Sequence, residues 1–233
     1  MTTAAMTPRE RVVAAMTRQP VDYVPCSPLI NPLSEPQRRG RRWNFPWPPP
    51  GDGLEYLATV LGVDPVVGAW WVSEFHPQDD VSSSVWQDGS VLRKVWTTPA
   101  GQLHAEVLFD ERWPHGHDIP LFTDFVGHFR VPWLKTERDL ECLRHILLPP
   151  RTIEQIEGMR GRFERLKSVA DELRLPLVVT IGSGLSGALW LCGAEQVCVL
   201  AVDGPGLLHN YIELEHRWNV RLIELAVDWG ADI

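Results

Sequence analysis

The stretch from Met6 to Pro25, MTPRERVVAAMTRQPVDYVP, constrains the fold more than any other. Thr7 suits an N-cap, Pro8 takes the first helical position, where its missing N–H costs nothing, and Glu10 completes a T-x-x-E capping box. Val12, Val13 and Met16 give this helix an apolar side. Gln19-Pro20 stops it, because the residue before a proline is pushed out of the helical region. Val24 to Ile30 follows as a short, mostly apolar run that reads as a buried strand. A helix passing at once into a strand is the elementary step of an α/β chain, and it recurs. Further strands are expected within Val63 to Val72 and Leu177 to Ile181, and Ala231-Asp232-Ile233 reads as the opening of another.

Composition narrows the classes. The 233 residues suffice for one large domain or two small ones, and 44% hydrophobic residues support a substantial core. A formal net charge of −8 argues against nucleic acid as a partner, since phosphate binding needs a basic surface. No apolar run approaches the ~18 to 20 residues of a membrane span. The first residues lack the charged-then-apolar pattern of a signal peptide, so a cytoplasmic location is expected. Cys26, Cys142, Cys192 and Cys198 form neither a C-x-x-C pair nor a disulfide framework, and read as buried or free thiols in a reducing compartment. The 11 tryptophans suit an aromatic-lined pocket or an aromatic core.

Between these strands the chain changes character. Residues 31 to 53, NPLSEPQRRGRRWNFPWPPPGDG, are too rich in proline and glycine for regular structure. Leu54 to Leu61 reads as a short helix closed by Gly62. From Val81 to Phe109, Asp88-Gly89 signals a hairpin and Thr98-Pro99-Ala100-Gly101 a second turn, so a small antiparallel meander is expected over about residues 81 to 130. Thr136 caps a helix carrying Leu140, Leu143, Ile146 and Leu147. Thr152 and Gln155 form a capping box for a longer helix that Pro176 breaks. Ala188 to Val202 is helical and interrupted at Gly193. Asp203 is expected to cap a last helix from about Pro205 to Trp229, with Gly230 closing it. One face of that helix carries Leu208, Tyr211, Ile212, Glu215, Trp218, Leu222, Leu225, Ala226 and Trp229.

The order T-P-R-E-R-V, a short apolar helix, then R-Q-P-V-D-x-V-P resembles the opening of the uroporphyrinogen decarboxylase superfamily, which includes tetrapyrrole decarboxylases and corrinoid-dependent methyltransferases. The T-P-x-G turn and the string VPWLKTERDLECLRHIL are similar to segments of its methyltransferase-like branch. The resemblance implies a (β/α)8 TIM barrel of which this chain is the N-terminal half, as a single partial domain over residues 1–233 with the meander inserted and the chain cut at the start of a strand. It implies an enzyme that in full-length form moves a methyl group to a thiol-type acceptor, the alternatives being uroporphyrinogen decarboxylation and a non-catalytic fragment or binding protein. Its partners would be a small molecule or a corrinoid protein, with self-association through open barrel edges. Zinc and a corrinoid protein belong to the parent protein, and no metal ligand is assigned here, because the family's His-x-Cys zinc signature would fall beyond Ile233. Against the decarboxylase, SPLINPLSEPQRRGRR stands where a glutamine-alanine-glycine-arginine motif is expected, Trp71 stands at the catalytic aspartate position, and Leu189 near the expected tyrosine.

Site candidates follow from chemistry and position. Arg38, Arg39, Arg41 and Arg42, in the loop after the first strand, suit a carboxylate or phosphate through bidentate hydrogen bonds. Glu74 and His76, just past the second strand, suit acid–base work. Gly182-Ser183-Gly184-Leu185-Ser186-Gly187 spells G-x-G-x-x-G between a strand and a helix. No compact βαβ unit follows it, so it reads as a tight turn whose backbone N–H groups, at Ser183 and Gly184, could meet an anion rather than as a dinucleotide site. His115-Gly116-His117-Asp118 holds metal-type ligands without an evident third, and His209 and His216 fall within the last helix.

Overall fold

The computed structural model describes residues 5–27, 51–122, 129–182 and 184–233. Along these run seven helices: α1 (Pro8–Met16), α2 (Gly51–Thr59), α3 (Glu137–Ile146), α4 (Ile153–Leu173), α5 (Leu185–Cys192), α6 (Ala194–Asp203) and α7 (Pro205–Trp229). The strands described are β1 (Val67–Trp70), β2 (Ser82–Asp88), β3 (Val91–Thr98), β4 (Gly101–Leu108), β5 (Phe129–Val131) and β6 (Leu177–Thr180). The chain divides into two compact units, one drawn from residues 1–70, 156–180 and 225–233, the other from 71–155 and 181–224.

In the first unit, α1 opens on its capping box. The Glu10 N–H donates to the Thr7 hydroxyl at 3.2 Å, and the Thr7 N–H donates to the Glu10 carboxylate at 2.8 Å. Its buried residues are Arg11 and Val12, whereas Met16 is 61% exposed. Arg11 turns inward because carboxylates wait for it. Its guanidinium bonds Asp22 at 2.6 and 2.9 Å and also reaches the fully buried Asp64. The Tyr23 ring lies 3.7 Å from the guanidinium carbon and its hydroxyl donates to Asp64 at 3.3 Å. Asp64 also accepts from the Cys26 N–H at 2.9 Å. Of the strand expected over Val24 to Ile30, residues 24–27 are described and form no strand, and residues 28–30 lie outside the described residues; Cys26 is held through Asp64, whose N–H donates to the Cys26 carbonyl at 2.7 Å.

β1 and β6 pair in parallel, with Val67 opposite Leu177 and Trp70 opposite Thr180. On the other side of β6, the Asp232 N–H donates to the Leu177 carbonyl and the Val179 N–H to the Ile233 carbonyl, both at 2.9 Å. The Asp232 carboxylate joins β6 to α1, accepting from the Leu177 N–H at 2.8 Å and from Arg9 at 2.9 Å. Arg9 also bonds Asp171 of α4 at 2.6 Å. Met159, Phe163 and Ala170 of α4 are buried with Leu54, Leu57, Val67 and Leu177 as the apolar core.

In the second unit, β2, β3, β4 and β5 form an antiparallel sheet in sequence order, turning at Asp88-Gly89 and at Thr98–Gly101. Leu103, Ala105 and Val107 of β4 alternate inward and are fully buried, as a one-sided sheet requires. Helix α3 packs on β3 and β4 through Leu140, Leu143 and Ile146. The Trp133 N–H donates to the Leu191 carbonyl at 2.8 Å, which fixes the end of α5. Gly193, with φ of 79°, takes the left-handed conformation between α5 and α6, and the two helices are bent by 115°. Asp203 is the last residue of α6 rather than the cap of α7, because the chain breaks at Gly204 and restarts on Pro205.

The expected (β/α)8 TIM barrel of uroporphyrinogen decarboxylase type is overturned. The described strands form two separate sheets, one parallel pair and one four-stranded antiparallel sheet, instead of a single parallel row. Residues 82–108 form the antiparallel meander that their short turns lead one to expect, and the departure lies in the parallel strands, of which the described residues pair only β1 with β6. Among the described residues no single helix is long and apolar enough to cross a membrane.

The Arg11 cluster yields a stability prediction. Asp64→Ala removes one of the two carboxylates on the buried guanidinium, and also the acceptor of the Cys26 N–H, and is expected to cost about 2 to 3 kcal/mol in urea unfolding, Asp22 keeping the charge paired. Arg11 hydrogen bonds hold the Asp22 carboxyl well below the usual carboxylate range. Its stabilising effect is therefore present above the unfolded-state value of about 4 and lost as pH falls toward the folded one. Asp22→Asn should lower stability at neutral pH and flatten its decline below about pH 4, as read from urea midpoints across pH.

Candidate functional site

Two loops of the second unit carry most of the chemistry, and both continue from the carboxyl ends of parallel strands: residues 71–76 after β1 and 181–187 after β6. Successive residues of α7 hold them. The Trp218 indole N–H donates to the Glu74 carbonyl at 2.9 Å, and the Asn219 amide donates to the Gly182 carbonyl at 3.0 Å. Tyr211, Glu215 and Asn219 recur every fourth residue, so they form one stripe along the helix. All three are buried, at 0%, 1% and 7% exposure.

Glu215 explains the glycines of the G-x-G-x-x-G turn. A Cβ on Gly182 would lie 2.0 Å from a Glu215 carboxyl oxygen. One on Gly187 would lie 2.3 Å from the Tyr211 hydroxyl and 2.5 Å from the other Glu215 oxygen. These two glycines make room for a carboxyl group and a phenol of the chain itself. Neither Glu215 oxygen makes a hydrogen bond of full geometry, and the Tyr211 hydroxyl and the Asn219 carbonyl oxygen are likewise unpartnered. Burial pushes the Glu215 carboxyl up from its ordinary value, opposed by the nearby Tyr211 hydroxyl, Gly184 N–H and Asn219 amide. Burial likewise raises the Tyr211 phenol. The amino end of α5, which has no side-chain cap, thus already faces an internal acid. A phosphate there would meet that acid at close range, which disfavours a dinucleotide.

On the other loop, His76 Nε2 lies 3.3 Å from a Glu74 carboxylate oxygen, both side chains about four-fifths buried. His76 Nε2 has no partner of hydrogen-bond geometry. The loop is fixed from behind: the His76 N–H donates to the Leu148 carbonyl at 2.8 Å, and His145 Nδ1 meets the Gln78 amide oxygen at 2.6 Å. Phe75, between Glu74 and His76, stacks edge-on to Phe122 and Trp218 at 6.1 and 6.4 Å. Phe122 in turn contacts Trp218 at 5.6 Å and Trp190 at 6.1 Å. The result is an imidazole–carboxylate pair beside four aromatic rings, suited to proton exchange with a ligand that has a flat or apolar part.

Other candidates separate. Arg38, Arg39, Arg41, Arg42 and Ser183 lie outside the described residues. Gly184 stands at the amino end of α5 with φ of 57°. His115 and His117 stack against Trp113 and Phe109, while Asp118 pairs with Lys94 at 2.7 Å, so this run packs on its own neighbours. His209 and His216 are exposed on α7, and Trp71 is buried. Cys142 and Cys192 are buried, with the Cys192 thiol pushed up to about 12 by burial, which makes it a poor nucleophile. Among the described residues no three His, Cys, Asp or Glu side chains converge as a metal site requires. Sequence reasoning placed Glu215 on the apolar face of the last helix without giving it a role. The available signal was a lone carboxyl in an otherwise apolar stripe.

No protein-family model, curated protein or solved structure matches the chain.

The glycine clearance predicts a specific coupling. Gly182→Ala should destabilise the protein by about 1 to 3 kcal/mol through overpacking. In a Glu215→Ala background most of that cost should vanish, leaving a coupling of about 1 kcal/mol or more in a double-mutant cycle of urea midpoints. Equal costs in both backgrounds would mean that Gly182 serves something other than Glu215.

Proposed function

We propose that the protein is an enzyme acting on a small molecule at loops 71–76 and 181–187, with the Glu74–His76 pair exchanging the proton. One observation carries the reading. Consecutive residues of α7 hold both loops of the second unit, and an acid–base pair about four-fifths buried lies on one of them. Phe75, Phe122, Trp190 and Trp218 pack on one another beside this pair.

The kind of reaction rests on the resemblance of residues 6–25 to the uroporphyrinogen decarboxylase superfamily and of the T-P-x-G turn and residues 131–147 to its methyltransferase-like branch. We assign to the protein methyl transfer from a corrinoid protein to a thiol-type acceptor. Decarboxylation of a tetrapyrrole is the second reading, favoured by the acid–base pair, since a carbanion left by CO2 loss must be protonated. A closed barrel is no part of this proposal. The setting is cytoplasmic, in keeping with four unpaired thiols.

Methylcobalamin is the first probe. Its binding should quench tryptophan emission, and a small thiol should then demethylate it, followed by visible absorbance. Uroporphyrinogen, with release of CO2, is the competing arm. Glu74→Gln and His76→Gln should each lower the turnover of whichever substrate reacts by about a hundredfold, the usual weight of an acid–base group, with unchanged unfolding midpoints. Binding without turnover of either probe would make the chain a binding protein, and neither binding nor turnover would remove the proposal.

A further inference from the structure

We infer that the outer edge of β2 is an interface through which two copies of this chain pair, β2 against β2, antiparallel about a two-fold axis at Val85. Strand β2 is unlike its neighbours. Six of its seven residues are exposed, Trp86 among them at 43%, and among the described residues no strand pairs with its outer side. Edges of this kind are ordinarily closed by a lysine, a proline or a bulge. Ser82 to Asp88 holds neither lysine nor proline, and its register with β3 is unbroken from Ser82–Thr97 to Asp88–Val91. The irregularity of the sheet lies on its other side, between β4 and β5.

The outward main-chain groups are symmetric about Val85. The two-residue turn at Gly89-Ser90 makes Asp88 and Val91 a hydrogen-bonded pair, so Ser82, Ser84, Trp86 and Asp88 turn their N–H and C=O groups to β3. Those of Ser83, Val85 and Gln87 point outward. The run closes at both ends, because the Val81 N–H donates to the Gln78 carbonyl at 3.0 Å and the Gln87 side-chain amide donates to the Gly89 carbonyl at 2.8 Å. A second β2 laid antiparallel sets Val85 against its own copy and Ser83 against Gln87, with about six main-chain hydrogen bonds. Side chains suit the same register. Trp86 falls opposite Ser84, whose small side chain leaves room for the indole, and Asp88 falls opposite Ser82. The one charge on the strand therefore never meets its like, and Arg93 already pairs with it at 2.6 Å. A foreign strand would satisfy the backbone groups alone, whereas large facing small and charge facing hydroxyl are properties of β2 against itself. β2 carries no residue of the candidate site, so the interface does not depend on the proposed reaction.

Sedimentation of the whole chain, with amide exchange beside it, tests the pairing. The unmodified protein should move from 26.4 kDa toward twice that mass as its concentration rises. Over the same range the exchange of the Ser83, Val85 and Gln87 amides should slow, while those of Ser84 and Trp86, already bonded to β3, stay protected throughout. Val85→Lys and Val85→Glu each set like charges against each other across the axis and should weaken self-association by about fivefold or more. An equimolar mixture of the two puts opposite charges face to face and should recover it, which misfolded variants could not do. Exchange at those three amides decides the matter on the unmodified protein even where a variant fails to fold. A protein that keeps the mass of one chain, with the three amides open at every concentration, would overturn the interface and leave the edge to a foreign strand. A dimer that forms as readily in either variant, or that leaves the three amides open, would overturn it too.

Discussion

Burying a charged group without losing the hydration it had in water is the constraint on which both compact units turn. In the first unit the problem is solved completely. Arg11 is withdrawn from solvent, but Asp22, Asp64, a backbone carbonyl and the Tyr23 ring replace its water. The replacement joins residues far apart in sequence: α1, the segment at Asp22-Tyr23 and the approach to β1 meet at one guanidinium. Arg9 does the same at the edge of the unit, joining α1 to α4 and to the residues beside β6. The R-E-R of the opening motif is thus a structural clasp. Its arginines face the protein's own carboxylates.

In the second unit the compensation is uneven. Lys135 is largely buried but sits among carbonyls, with Pro132 accepting at 2.7 Å and Trp133 at 3.2 Å, and Asp139 lies 3.5 Å away. Burial pulls its ammonium below its ordinary value, with Asp139 opposing the shift. Glu215 receives less. Its surroundings are glycine, phenol and amide, and its two oxygens remain without full hydrogen bonds. Buried polar groups left in that condition are uncommon in folded proteins and often mark places that move or react. That one lies beside a loop at the end of a parallel strand, on the helix that also holds the Glu74–His76 loop, makes this region the centre of chemical interest in the chain.

The two levels of description disagree most over strand neighbours. Local signals were reliable where the chemistry is local. The capping box at Thr7, the cap at Thr136, the turn at Asp88-Gly89 and the span Pro205–Trp229 of the last helix follow from residues within a few positions of one another. The barrel did not, because pairing partners lie in different parts of the chain and periodicity cannot name them. The candidate site was legible in part. Glu74, His76 and the glycine turn could be named from their places after apolar runs, yet what the glycines serve could not, since Glu215 lies roughly thirty positions further on.

By itself, then, the sequence determined the helices, the hairpin turns and the segments in which reactive side chains stand, because caps, breakers and periodicity act over one or two turns of chain. Tertiary structure alone decided that Arg11 faces inward, that the strands divide into a parallel pair and an antiparallel sheet, and that two glycines leave space for Glu215. Each of these depends on what a distant segment offers at close range: a carboxylate, a strand edge, the absence of a Cβ. Charge burial and steric exclusion operate through space, so only the folded chain can show which residues they join.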